Sequence, residues 1–576
     1  MDNQRLFLWF ALAAILFLNF EAWQRDFSPP EPATTATAAG PATGAPAGAA
    51  KAPADDLPAL PASTPATAPG AVPAAAAPTP SVPATAPAET GVAAGPVVHV
   101  RSDVLDLEIA PAGVEFRRAT LLKYSKVKDT PDQLVELLND GTHAELSLLQ
   151  WGLRSATEPE PNHRALFTTA ESSYTLKDGQ DELVVPFTWT NGAGLKVTRT
   201  LRLKRGSYAV GLEQRVENGG TAPWQGRAYE RIERHWHHVE ASFWNRDPEL
   251  TAFRGPAFSD GTKFQKLDVE KADGDRPPKT PVTGGWAAAL QHYFLVALVP
   301  DPKAPQIYDL TSADNTFRFT VMGPALDVAP GASAQATATL WIGPKLQDAL
   351  AGVAPKLDFA TDYGRLTFIA QPLFLVLSFV HRFVGNWGFT IIIVTFLIKL
   401  VFFPLAQTSG RSMAKMRNLA PRMKAIQERY KDDREQLGKQ MMDLYKKEKV
   451  NPLAGCLPTV VQIPVFIAFY YVLLESVELR QAPFLGWVHD LSTKDPFFVL
   501  PLVMGVAMYG QFKLNPAPPD PVQAKVFAFM PLMMTAMMAF FPAGLVLYWI
   551  TNTTLSIAQQ WHINNVVAAD AKKPRD

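Results

Sequence analysis

The sequence predicts a polytopic α-helical membrane bundle, one N-terminal anchor plus five core spans, joined to a large all-β domain on the far side of the membrane. Three observations carry that prediction. Residues 366–562 hold several long apolar runs, near the ~20 residues needed to cross about 30 Å of hydrocarbon. Residues 97–345 instead place apolar side chains at a period of two, the mark of strands with one buried face. Between the N-terminus and that domain, residues 29–96 are nearly all Ala, Pro, Thr and Gly, too poor in large apolar groups to offset the entropy of ordering. Composition narrows the function classes further. With 54 basic and 54 acidic residues in 576, the formal net charge is zero, so no direct sequence-specific nucleic-acid binding is expected. The single cysteine, Cys456, excludes an intramolecular disulfide, a multi-Cys zinc site and Cys-x-x-Cys redox chemistry.

Residues 1–23 read as the anchor. Arg5 precedes an apolar run from Leu6 to Phe20, and the bulky segment Asn19–Trp23 offers no small-x-small cleavage site, which favours an uncleaved span over a signal peptide. Residues 24–96 are a tether. In the β domain, 97–345, Leu195, Val197, Leu201 and Leu203 alternate with Lys196, Thr198, Thr200 and Arg202, with Arg199 the exception on the apolar side. Lys204-Arg205-Gly206-Ser207 reads as a turn, after which Tyr208, Val210, Leu212 and Val216 resume the alternation. That is a hairpin with one buried face. Phe317, Phe319 and Val321 repeat the pattern, and a domain of this length and period implies a large antiparallel sandwich. His235 and His237 would share one face of a strand. Without a third ligand at a suitable spacing, they are better read as exposed or hydrogen-bonded imidazoles, and neither a metal nor another cofactor is expected.

The order of the spans follows from charge. The loop within 404–452 carries about a dozen Lys and Arg, among them Arg411, Lys415, Arg417, Arg422, Lys424 and Lys447, and such a loop belongs in the cytoplasm. If the N-terminus is inside, the anchor exports the β domain and one further crossing, 385–403, returns the chain. Leu366–Val384, interrupted by Pro372 and His381-Arg382, should then lie along the surface as an amphipathic helix in the interfacial region 346–384. Four spans within 453–562 leave the 475–495 loop outside, and the Lys513–Lys525 loop and the 563–576 tail inside. Every inside segment is net basic. The basic loop itself has helical stripes, Met413, Met416, Ala420, Met423 and Ile426 against Leu437, Met441 and Leu444. Such a hairpin is either simply solvated or a docking arm for cytosolic machinery.

Lys399 sits inside a span, where a charge costs at least a few kcal/mol unless it meets water or a partner. Snorkelling to the nearby cytoplasmic end is the competing reading. Thr395 shares its helical face. In the last span Trp549, Asn552, Ser556 and Gln559 line one face at 3-4-3 spacing, and Gln462 and Gln511 add amides in two other spans. Polar stripes can serve only to bind helices together. Several stripes with one cation and no intramembrane carboxylate fit a water-filled cavity better. Met530, Met533, Met534, Met537 and Met538 crowd one span; methionine is a common packing filler and also makes adaptable apolar surfaces.

Asn386-Trp387-Gly388-Phe389, Ser412-Met413-Ala414-Lys415-Met416 and Asn451-Pro452-Leu453-Ala454-Gly455-Cys456 resemble the YidC/Oxa/Alb family of membrane protein insertases. So do Val477-Glu478-Leu479-Arg480-Gln481-Ala482-Pro483 and Gly544-Leu545-Val546-Leu547-Tyr548-Trp549, in order, through almost all of residues 340–565. The anchor, tether and exported β domain mark the Gram-negative form. The resemblance implies a periplasmic β-supersandwich, a cytoplasmic helical hairpin and five spans around a groove open to cytoplasm and lipid. It also implies a bacterial inner-membrane insertase and chaperone without covalent chemistry, with both termini cytoplasmic. The implied partners are nascent membrane proteins, membrane lipids, the Sec translocon with SecDF, and the ribosome and targeting machinery through the hairpin. The family's groove carries a basic residue, usually Arg, and the matching position is Lys399, which keeps the charge but loses the planar fork of Arg. Thr395, Gln462, Gln511, Trp549, Asn552 and Ser556 complete the expected groove. A secondary transporter with a periplasmic accessory domain is the first alternative, but it would show an inverted repeat and paired intramembrane ionisable groups, which the sequence lacks. A periplasmic enzyme is the second, resting on fold analogy alone.

Overall fold

The computed structural model describes residues 97–571 apart from 129, 131, 142–145, 157–158, 237–251, 270–275, 431–432, 449–456 and 515–520. The anchor 1–23, the tether 24–96, His237, Cys456 and the tail from residue 572 lie outside the described residues. Between Val98 and Pro344 the chain forms a ten-stranded and an eight-stranded sheet. Strand pairing is antiparallel except where Val98–Arg101 runs parallel to Ser173–Thr175. The two sheets share one apolar core, which includes Phe116, Trp151 and Phe319 from one sheet and Val197, Leu298 and Leu340 from the other. The hairpin read from the alternation is present: Leu195–Lys204 pairs with Ala209–Asn218, with Leu203 opposite Val210 across the turn. Gly206 at φ 71° takes the left-handed conformation that this turn needs.

Arg199, the charge out of place in that pattern, is fully buried. Its guanidinium donates to Gln214 Oε1 at 3.1 Å and to the carbonyls of Pro161 at 2.7 Å and of Gly113, and lies over the Trp151 and Phe167 rings. An arginine fits a sandwich core only if loop carbonyls turn inward to meet its donors. Burial still pulls it down to about 9 and pushes the neighbouring Glu230 up to about 8, with Arg199 opposing the latter shift.

Helices follow: α1 Gln347–Val353, α2 Thr367–Val384, α3 Trp387–Val401, α4 Phe403–Arg429, α5 Arg434–Lys447, α6 Leu457–Glu475, α7 Val499–Leu514, α8 Pro521–Met538 and α9 Ala543–Ala571. Gly385, at φ 67°, ends α2, and Asn386 caps α3 by accepting from Phe389 N at 3.1 Å. Gly388 is required by contact, because a Cβ there would fall 2.0 Å from the Phe484 ring. The bundle core gathers Leu377 from α2, Val394 from α3, Phe469 from α6, Met504 from α7 and Tyr548 from α9.

Among the described residues, Gly364–Val384 is the one single helix that by length, 21 residues, and composition is long and apolar enough to cross a membrane. α3 and Phe403–Ser412 pass together as a pair bent by 63°, while Val460–Glu475, Val499–Leu514 and Lys525–Met538 are apolar but shorter. The helix expected at the surface is thus also the longest apolar one, because composition alone does not separate crossing from lying flat. In the basic hairpin, α4 and α5 meet through Leu419, Met423 and Tyr445, flanked by Met416, Met441 and Leu444. Met416, Met423, Met441 and Leu444 of the expected stripes lie in this seam, and Leu419 and Tyr445, one position from residues of those stripes, join them. One residue is about 100° of helix, so a stripe read from spacing can shift to its bulkier neighbour.

Candidate functional site

α9 packs against α3, α6 and α7, so polar residues from several helices converge along its length. Lys399, half-buried on α3, donates from Nζ to Ser556 Oγ at 2.8 Å. Ser556 Oγ in turn donates to the Asn552 carbonyl at 2.7 Å. Asn552 Oδ1 accepts from Gln462 Nε2 at 2.5 Å, and Gln462 also reaches Tyr548 Oη at 3.5 Å. A continuous hydrogen-bond chain therefore joins α3, α9 and α6 through one asparagine. Lys399 is not unpaired, as its isolation in the sequence implied, but its partner is a neutral hydroxyl. Among the described residues no carboxylate forms an ion pair with it.

The other expected groove residues stand apart from that chain. Thr395 is buried and its hydroxyl is spent on the Ile391 carbonyl at 2.6 Å, one turn back on its own helix. Trp549 packs edge-on against Phe466 of α6, with ring centres 4.8 Å apart. Gln511, half-buried near the end of α7, shares no hydrogen bond with the others among the described residues. The reading from sequence missed Tyr548, which stacks on Phe469 at 4.5 Å and meets Gln462. Its signal was its place one turn before Asn552, on the same polar stripe. Gln559 continues the stripe, with its Nε2 buried and without a hydrogen-bond partner among the described residues. Of the crowded methionines on α8, Met538 is in the bundle core whereas Met533 and Met537 are exposed beside Phe529 and Leu532.

His235 Nδ1 lies 3.4 Å from Thr316 Oγ1, in keeping with a hydrogen-bonded imidazole. No group of three His, Cys, Asp or Glu among the described residues could hold a metal ion.

Two family models match the chain. One, described as the YidC periplasmic domain, covers residues 97–376, and one described as the 60Kd inner membrane protein covers residues 379–571. The chain is 43% identical over 583 residues to a membrane protein insertase YidC of Nitrosococcus oceani, covering 98% of this chain and 99% of that one. It is also 43% identical over 584 residues to that of Thioalkalivibrio sulfidiphilus, covering 100% of both. Among solved structures it is similar to an active YidC insertase crystal structure with the first transmembrane domain resolved. That match has 16% identity and a TM-score of 0.36, over 81% of this chain and 94% of the other.

Proposed function

The chain belongs to the YidC family of membrane protein insertases, and we propose that it works through a groove lined by Lys399, Gln462, Asn552 and Ser556. It is an inner-membrane insertase with a periplasmic sheet domain, its substrates are nascent membrane proteins, and its family is not enzymatic. Full-length similarity to insertases leaves the transporter alternative unsupported.

The observation that carries the groove reading is the hydrogen-bond chain from Lys399 through Ser556 and Asn552 to Gln462, set within a largely apolar bundle. A polar part of a client that enters there exchanges water for these groups instead of meeting bare hydrocarbon, where each unpaired polar group costs on the order of several kcal/mol. Its apolar part then moves out between helices into lipid. Thr395, Gln511 and Trp549 shape the walls. The arrangement we favour has the anchor 1–23, the tether 24–96, the periplasmic domain 97–345 and the interfacial region 346–384. A span at 385–403, the cytoplasmic hairpin 404–452, four spans within 453–562 and a cytoplasmic tail 563–576 complete it, with both termini inside. The net positive charge of every inside segment supports this topology. The charged outer face of the α4–α5 hairpin fits docking of ribosomes and targeting machinery, and the Sec translocon with SecDF fits as a partner at the lipid-facing side.

The test is reconstitution. Purified protein in liposomes should insert a short phage coat protein to a protease-protected form. Combined loss of Lys399, Gln462 and Asn552 to alanine should abolish that insertion while the chain remains folded. Undiminished insertion by the triple variant would sink the groove assignment.

A further inference from the structure

The segment after α6, Val477-Glu478-Leu479-Arg480-Gln481, belongs to a motif that the groove does not use. It forms a short 3-10 turn, Val477–Leu479, and that turn faces two ways. Val477 is buried in the core of the sheet domain, whereas Leu479 is buried in the core of the helical bundle. Tyr363 straddles the same boundary. Its ring belongs to the bundle core, while its hydroxyl accepts from Gln347 Nε2 at 2.6 Å and meets Ser476 Oγ at 3.1 Å. Gln347, Tyr363 and Ser476 are all buried. Outside this centre Arg480 Nη2 donates to the carbonyls of Ser125 at 2.9 Å and Lys126 at 3.0 Å, and lies over the Tyr293 and Phe294 rings. Ser125 also bonds Gln481 Oε1 at 3.1 Å, and Lys128 bonds the Gln481 carbonyl at 2.8 Å. Around the end of α6, His292 Nε2 lies 3.9 Å from Glu475, and Lys345 is buried nearby.

So many directional contacts on one short turn do more than tether two domains. They fix the position and tilt of the outer end of α6. The opposite half of that helix carries Gln462, roughly 20 Å away at 1.5 Å per residue. A tilt of about 5° at the outer end would move Gln462 by nearly 2 Å, enough to part it from Asn552.

We propose that the Ser476–Leu479 turn, gripped by Tyr363 and Gln347, is the joint that holds α6 in register with α9, which makes Tyr363 a positioning residue for membrane insertion. The inference rests on the groove reading above. Failure of the two can be told apart, because the joint is tested by geometry as well as by activity.

The experiment uses the full chain in liposomes. Tyr363→Phe keeps the ring and removes only the hydroxyl. It should slow client insertion about three- to tenfold, the effect of losing one or two buried hydrogen bonds. Spin labels at exposed Val460 on α6 and exposed Ala558 on α9 should show a broader distance distribution in the variant. A role in stability alone would lower the melting temperature and leave that distribution unchanged, which would overturn the proposal. Rescue closes the test. In a Cys456→Ser background, Tyr363→Cys with Ser476→Cys should be impaired until a short bifunctional thiol reagent bridges the two positions, and bridging should restore both the rate and the narrow distribution. Complete bridging without recovery would overturn the joint, as would a Tyr363→Phe variant that inserts at the parental rate. If the double variant fails to accumulate, Tyr363→Phe decides alone. A broadened distance with unaltered insertion would preserve the joint as geometry but reject Tyr363 as a positioning residue, and with it the proposal.

Discussion

Replacing Lys399 tests whether the proposed groove reads charge. Its ammonium bonds Ser556 and has no carboxylate partner among the described residues, so its field remains free to act on a client. At about 4 Å an acidic client group would gain about 4 kcal/mol at an effective dielectric of 20 and about 1 kcal/mol in water. Lys399 is half-buried, so an intermediate value near 2 kcal/mol, roughly thirtyfold in rate or affinity, is expected. Lys399→Ala should therefore impair clients with acidic exported tails by about that factor, and neutral or basic tails much less. Lys399→Arg should be tolerated, and Lys399→Glu should be worse than Ala for acidic tails. The structure makes Ala a clean probe, because Ser556 keeps its bond to the Asn552 carbonyl and Asn552 keeps Gln462 when the lysine is gone. The assay is insertion of matched clients that differ only in tail charge, at equal insertase levels. An identical defect for acidic, neutral and basic tails would refute the electrostatic role, and a milder defect in Glu than in Ala would remove it altogether.

Two other outcomes follow from the topology and from the buried charges. Single cysteines within 411–448 of a Cys456-free chain should resist a membrane-impermeant thiol reagent in intact spheroplasts, whereas exposed positions such as Lys204 and Gly331 should react; labelling of the basic hairpin from outside would overturn the charge-parity argument. Burial raises the Glu230 carboxyl to about 8 against an ordinary value of 4.5, so the folded state holds the extra proton and its stability falls as pH rises through that window. Glu230→Gln removes this term, so its stability advantage over the parent should grow between pH 5 and pH 9 by a few kcal/mol at most, about 1.4 per pH unit. Melting of the sheet signal in detergent would show it, and a pH-independent difference would contradict the buried-acid account.

Legibility in the sequence followed the range of the interactions. The hairpin at 195–218 was plain because strand alternation and a glycine turn are local, and the two-helix stripe of the basic loop was plain for the same reason. Arg199 stood out as a break in the pattern, but its solution was not legible: the carbonyls of Gly113 and Pro161 that satisfy it come from distant loops. The groove divides in the same way. Spacing placed Asn552 and Ser556 on one face of α9, yet only the packing of α3 and α6 against that face brings Lys399 to Ser556 and Gln462 to Asn552. Thr395 shows the converse. It lies on the expected face, but it is buried and its hydroxyl turns back to the Ile391 carbonyl of its own helix. The role of the Val477–Gln481 motif was equally invisible, since it depends on two cores meeting at one turn.

A groove that passes clients onward has to avoid two extremes. Purely apolar walls would present the full desolvation penalty to every polar client group. Walls with unpaired charges or donors would hold those groups too well to release them. The chain from Lys399 to Gln462 sits between, because each polar group is already paired, and paired with a neutral partner. Parting a buried ammonium from a carboxylate would cost about 3–5 kcal/mol. An ammonium bonded to a hydroxyl is worth about 1.5–3 kcal/mol, and a neutral client carbonyl can replace that hydroxyl almost in kind. Exchange of partners is then near thermoneutral at each step, so entry is eased without a deep trap. In the proposed groove the direction of transfer is set instead by the apolar part of the client, for which lipid is the better solvent, and the exposed Phe529, Leu532, Met533 and Met537 of α8 offer an adaptable apolar surface.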